Sequence, residues 1–218
     1  MAERVSALSG HYQKGHFGKE GEAAVTLSEI SGLVLHQLSA WPDTLDRVSI
    51  KVAQACAVDK APGPGRAAVG SHGVLLRIES LKWWCYGGEL LPALAAEEGT
   101  TLDLSHSRTH LRVRGRAAQA CLNRLVSLDL RPNSCPLDSV MSTALHHVGI
   151  TIWHSSDGFE LFVPRGFALS LWEVLTDTAA QFGAEIARKP WRERIDELAV
   201  FQRDHPHPAA HVLRRQQF

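Results

Sequence analysis

Asp157-Gly158-Phe159-Glu160-Leu161-Phe162-Val163-Pro164-Arg165, running into Phe167-Ala-Leu-Ser-Leu-Trp-Glu-Val-Leu-Thr-Asp-Thr-Ala-Ala-Gln-Phe182, decides the fold class. Asp-Gly is a tight-turn dipeptide, and the residues after it alternate as a strand that Pro164 ends. Beyond the proline, Ala168, Leu171, Trp172, Leu175, Ala179 and Phe182 recur at helical spacing and form one apolar face. Gly149 to His154 supplies the partner strand upstream, so a hairpin hands the chain to an amphipathic helix.

Working outward, Thr109-His-Leu-Arg-Val-Arg114 alternates strictly, which predicts a half-exposed strand with Leu111 and Val113 inward and Arg112 and Arg114 outward. Ala118, Cys121, Leu122 and Leu125 then predict a helix over Arg116 to Leu125. In the first half, Ala23 to Ile30 and Gly32 to Trp41 read as strands, and Pro42 opens a helix from Asp43 to Val58. Residues 59–73 read as a loop, Gly73 to Ser80 and Leu81 to Tyr86 as strands, and Glu89 to Glu98 as a short helix. Each half is therefore strand, helix, hairpin, helix. Val52-Ala-Gln-Ala-Cys56 is echoed by Ala117-Ala-Gln-Ala-Cys121, in keeping with a duplicated unit. These patterns predict an α+β fold of two similar subdomains packed into one body, with sheets backed by helices. The expected division is a flexible arm over 1–22, subdomains over 23–99 and 100–186, and a C-terminal extension over 187–218.

Composition excludes several function classes. With 44% hydrophobic residues the 218-residue chain can bury a sizeable core. Basic and acidic side chains number 23 each, so no net field favours nucleic acid or an anionic membrane. No apolar run approaches the roughly 18 residues of a membrane-spanning helix, and a cytoplasmic location is expected. Cysteines at 56, 85, 121 and 135 lack the close spacing of zinc knuckles or redox dithiols, and Cys56 and Cys121 read as small apolar residues in helices. The glycines of the loop over 59–73 lack the Gly-Lys-Ser or Gly-Lys-Thr of a phosphate cradle.

Twelve histidines invite a catalytic or metal reading that their placement does not support. Asp103, Ser105 and His106 sit too close along the chain to assemble a nucleophile, base and orienting acid, and they suit local bonding to backbone instead. His146 and His147 would diverge on a helix, and His205, His207 and His211 lie in a proline-interrupted tail. Trp172 falls on an apolar helix face and reads as core. Trp83 and Trp84 must point to opposite faces of one strand, which leaves one either exposed or buried by something outside its own unit. No catalytic, cofactor-binding or metal residue is assigned, and Trp83, Trp84 and Trp191 are the candidate partner interface.

The Gly158 to Arg165 segment resembles the corresponding segment of the gamma subunit of heterotetrameric sarcosine oxidase and, more distantly, of the folate-binding aminomethyltransferases. Leu102-Asp-Leu-Ser-His-Ser-Arg-Thr-His-Leu-Arg-Val-Arg-Gly115, Cys121 to Leu130 and Leu145-His146-His147 extend the resemblance across roughly residues 100–183. It implies a small non-catalytic subunit of a flavoenzyme that oxidatively demethylates sarcosine or a related N-methyl amino acid. The methyl carbon would pass to tetrahydrofolate or leave as formaldehyde. The resemblance further implies large alpha and beta flavoprotein chains that carry FAD, FMN, NAD and substrate, and a small zinc-binding delta chain. The gamma chain would bind no cofactor itself. The aminomethyltransferases carry a Tyr-Thr-Gly-Glu-type stretch before the hairpin, where a carboxylate can meet the pterin; His154-Ser155-Ser156-Asp157 stands there instead. The alternative reading is a stand-alone folate-dependent aminomethyltransferase or demethylase-type domain.

Overall fold

The computed structural model describes residues 5–88, 91–187 and 189–190. Its strands are β1 (Gly15–Phe17), β2 (Val25–Ser31), β3 (Leu35–Ala40), β4 (Ala67–Gly70), β5 (Gly73–Glu79), β6 (Lys82–Tyr86), β7 (Gly99–Asp103), β8 (Arg108–Arg114), β9 (Val140–Leu145), β10 (Val148–Ser155), β11 (Gly158–Pro164), β12 (Ala184–Ile186) and β13 (Lys189–Pro190). The helices are α1 (Leu45–Cys56), α2 (Ala118–Leu122) and α3 (Ala168–Ala180). Two sheets result: β1-β12-β2-β8-β11-β10-β9, with β13 also on β2, and β4-β5-β6-β3-β7.

The duplication is visible in the pairing. In the first half β3 leads through α1 to the meander β4-β5-β6, whose last strand returns to pair with β3; β8, α2 and β9-β10-β11 do the same in the second half. Cys56 and Cys121, which end the echoed pentapeptides, lie on the two equivalent helices. The strand preceding each unit crosses over. β2 pairs antiparallel with β8 of the second half, and β7 pairs antiparallel with β3 of the first. The expected boundary at residue 99 falls at the start of β7, and each sheet draws a strand from both halves of the chain.

Alternation along the strands sends successive side chains to opposite faces, and the central strands of both sheets are covered on both faces, whereas most of the edge strand β7 is exposed. α2 and α3 pack on the outer face of the larger sheet over Leu27, Leu111, Val113, Ile152 and Leu161. α1 packs on the outer face of the smaller sheet over Leu38, Leu75 and Trp83. Between the sheets lie Leu35, Leu76, Trp84, Tyr86, Trp153 and Phe162. The layers run helix, sheet, sheet, helix.

This layering corrects several expectations. β8 is not half-exposed: Arg112 is 2% accessible because the second sheet covers the face that alternation had assigned to solvent. The segment 91–98 is not helical; Pro92 offers no N–H, and the Glu98 carboxylate accepts from Lys51 Nζ at 2.5 Å and from the Ala95 amide at 3.1 Å, closing a loop. β4 forms inside the expected loop, and a Cβ on Gly70 would come within 1.9 Å of the Cys56 carbonyl oxygen at the end of α1. The second helix shortens to Ala118–Leu122, although Leu122 is buried and Leu125 packs against the same core. His146 and His147 form the β9–β10 turn, with φ of 47° and 71°, rather than part of a helix. The two-residue turn of the β10–β11 hairpin is Ser156-Asp157, one residue earlier than expected; Gly158, at φ 128°, already pairs with Ser155.

Residues 5–22 are not a free arm. Leu8 is fully buried, Tyr12 stacks on Trp172 with centroids 5.1 Å apart, and β1 pairs with β12. Within α3 the expected apolar face is observed, with Ala168, Leu171, Trp172, Leu175 and Ala179 all buried. Replacing Leu171 by Ala should cost about 2–5 kcal/mol in chemical denaturation, the usual range for a large-to-small core change. An unchanged midpoint would remove that helix face from the core.

Candidate functional site

The layer between the sheets is largely apolar, and its most deeply buried ionisable side chains form one connected set. β8 and β11 pair so that Glu160 stands opposite Arg112 and Phe162 opposite His110. All four point to the inter-sheet face, and Glu160 reaches diagonally to His110. Glu160 Oε1 accepts from Arg112 Nε at 2.9 Å and from Ser155 Oγ at 2.9 Å, while Oε2 lies 2.6 Å from His110 Nε2. His110 Nδ1 meets the Tyr86 hydroxyl of the other sheet at 3.1 Å. With Nε2 donating to the carboxylate, a neutral imidazole presents Nδ1 as acceptor and the tyrosine donates.

Glu160, His110, Arg112, Ser155 and Tyr86 are each no more than 2% accessible. Arg112 Nη1 also faces Asp157 Oδ2 at 3.5 Å at the rim, and Arg112 Nη2 is buried without a hydrogen-bond partner. Burying a carboxylate and a guanidinium is costly, and the pair persists because each meets the other with further donors close by. A carboxylate enclosed by three donors and sealed from solvent is an internal brace between strands and sheets. It presents no free base to a substrate.

The residues singled out from sequence are placed as follows. Trp83 is 0% and Trp84 4% accessible, so neither is exposed; Trp84 is buried from outside its own unit, by the larger sheet, and neither ring is open to a partner chain. Opposite faces of the smaller sheet hold them, α1 covering Trp83 and the larger sheet covering Trp84. Arg77 lies 5.0 Å from the Trp83 ring centroid, and the Trp84 indole donates to Gln37 Oε1 at 3.2 Å. Trp191 lies outside the described residues. Ser105 satisfies backbone groups, but distant rather than local ones: its hydroxyl accepts from the amide of Leu35 on β3 at 3.0 Å, and the local bond is made by Asp103, whose Oδ1 accepts from the Ser105 amide at 2.8 Å. His106 is exposed, and Asp103 faces His36 at 3.8 Å, so no triad forms there. All four cysteines are buried, and burial pushes the Cys121 thiol up to about 11. Among the described residues no three His, Cys, Asp or Glu side chains gather as a metal site, and no helix is long and apolar enough to cross a membrane. Sequence reasoning missed Glu160 and His110 because alternation shows that two residues share a face without showing what covers it.

Replacing Glu160 by Ala leaves Arg112 charged and buried without its partner, and urea denaturation should show a loss of about 3–5 kcal/mol. Tyr86→Phe, which removes one neutral hydrogen bond, should cost about 1 kcal/mol. Equal costs for the two variants would contradict the brace.

No family model matches the chain. A curated relative, the sarcosine oxidase gamma subunit of Corynebacterium sp. (strain U-96), is 26% identical over 179 residues, 75% of this chain and 83% of the relative. The gamma subunit of Arthrobacter sp. is 31% identical over 80 residues, 37% of this chain and 39% of the relative. Among solved structures, a chain of heterotetrameric sarcosine oxidase from Corynebacterium sp. U-96, in complex with pyrrole 2-carboxylate, matches with TM-score 0.64 and 25% identity over 75% of this chain and 87% of that one. Aminomethyltransferase T of the glycine cleavage system from Bartonella henselae matches with TM-score 0.55 and 19% identity over 76% of this chain and 48% of that one. The chain is a homologue of the sarcosine oxidase gamma subunits, on a fold that it shares with that aminomethyltransferase.

Proposed function

We propose that this chain is the small, non-catalytic gamma subunit of a heterotetrameric, sarcosine-oxidase-like flavoenzyme that oxidatively demethylates sarcosine or a related N-methyl amino acid. One observation carries the reading: the likeness spans 87% of the sarcosine oxidase chain but 48% of the longer transferase. In this reading the reaction and its FAD, FMN, NAD and zinc belong to the alpha, beta and delta chains, and tetrahydrofolate serves the complex away from this chain. Exposed apolar side chains, among them Ile50, Leu102 and Phe167, at 60%, 54% and 53% accessible, are surface that assembly could cover.

The residues present speak against tetrahydrofolate on this chain. Where the resemblance puts the Tyr-Thr-Gly-Glu-type stretch of the aminomethyltransferases, His154 stacks on Phe159 at 4.6 Å and donates from Nδ1 to the Cys135 carbonyl at 2.8 Å. Ser155 donates to Glu160, and Asp157, partly exposed at the rim, faces Arg112. Ser156 is the most exposed of the four, and it brings no carboxylate to a pterin.

Purified alone, the chain should show no flavin absorbance, no stoichiometric zinc and no turnover of an N-methyl amino acid. Calorimetry with tetrahydrofolate should give no tight binding. Micromolar folate binding by the isolated chain would overturn the assignment in favour of a folate-dependent transferase.

A further inference from the structure

The smaller sheet holds a pair of cysteines that the proposed function does not use. Cys56 ends α1 and Cys85 lies in β6, and their sulfurs approach to 2.6 Å across the interface between helix and sheet. Both residues are fully buried, among Leu38, Val52, Leu75 and Trp83. A disulfide holds its sulfurs about 2.05 Å apart, so a small closure joins this pair without moving either element far. From these positions we infer that Cys56 and Cys85 form a reversible disulfide that staples the last turn of α1 to β6, with hydrogen peroxide as the oxidant.

The two sulfurs share one hydrogen bond in which either can be the donor, so either can supply the attacking thiolate. That thiolate attacks one peroxide oxygen and breaks the O–O bond, giving a sulfenic acid and, with the released proton, one water. The partner sulfur then attacks the sulfenic sulfur, expels hydroxide and gives up its own proton, so that a second water leaves and the S–S bond forms. Two thiols lose two electrons and two protons, and one peroxide is reduced to two waters.

Access is the remaining requirement, and the helix end supplies it. Cys56 is followed by Ala57, which is exposed and ends α1 in the left-handed region at φ 55°. Fraying of that last turn opens the pair to a molecule little larger than water.

The test is non-reducing peptide mapping of the folded full-length chain, exposed to hydrogen peroxide and then alkylated in denaturant. Four alkylatable thiols should fall to two, with one linked peptide holding Cys56 and Cys85, and dithiothreitol should restore all four. Cys121→Ala should leave the linked peptide unchanged, and Cys56→Ser or Cys85→Ser should each abolish it and leave the remaining cysteine of the pair open to a sulfenic-acid trap such as a 1,3-dione. Because the mapping reads wild-type protein, it stands even if a variant fails to fold. Alkylation of both Cys56 and Cys85 after peroxide, or a link through Cys121 or Cys135, would overturn the inference.

Discussion

Each sheet is completed by a strand from the opposite half of the chain, and the rest of the architecture depends on that exchange. β2 joins β8 and β7 joins β3, so neither half can close its sheet alone. The crossovers hold the two sheets face to face, and a layer that solvent would otherwise reach becomes core. Trp84, Tyr86, Trp153 and Phe162 fill it with edge-on ring contacts, Trp84 and Phe162 at 5.7 Å and Tyr86 and Phe162 at 5.4 Å.

A layer of that kind is a poor place for charge, which explains why its fully buried carboxylate and guanidinium meet each other. Glu160 and Arg112 lie opposite each other in the β8–β11 register, and a slip of one residue would put Leu161 or Phe159 in place of the carboxylate. The apolar layer supplies most of the favourable free energy, because burial scales with apolar area. The Glu160 set discriminates instead: a mispaired register would strand a guanidinium and a carboxylate, each costing several kcal/mol. Tyr86 extends the same discrimination to the second sheet through His110.

Local pattern made the hairpin and α3 legible. Turn chemistry, strand alternation and helical spacing agree there, and tertiary packing had nothing to override. It failed where the decisive neighbour is distant in sequence. Arg112 alternates as a solvent-facing residue and is buried because another sheet lies over it; Trp83 and Trp84 point to opposite faces, as strand geometry requires, yet both faces are covered. Glu89 to Glu98 reads as a short helix in sequence, but Leu91 and Leu94 reach the core beneath α1 from a loop whose geometry Pro92 and Glu98 set. The buried Glu160–His110–Tyr86 connection could be found only from the pairing of β8 with β11 and the facing of the two sheets.

A rigid body whose buried polar groups are turned toward one another suits a role in assembly better than one in chemistry. Its likeness to sarcosine oxidase gamma subunits speaks for that role. The most direct measurement is native mass spectrometry of the chain co-expressed with the two large flavoprotein chains and the small delta chain that the proposed function assigns to it as partners. One copy of this chain in a four-chain, flavin-containing complex is the predicted result. A stable, monodisperse monomer that does not associate with the flavoprotein chains would contradict it.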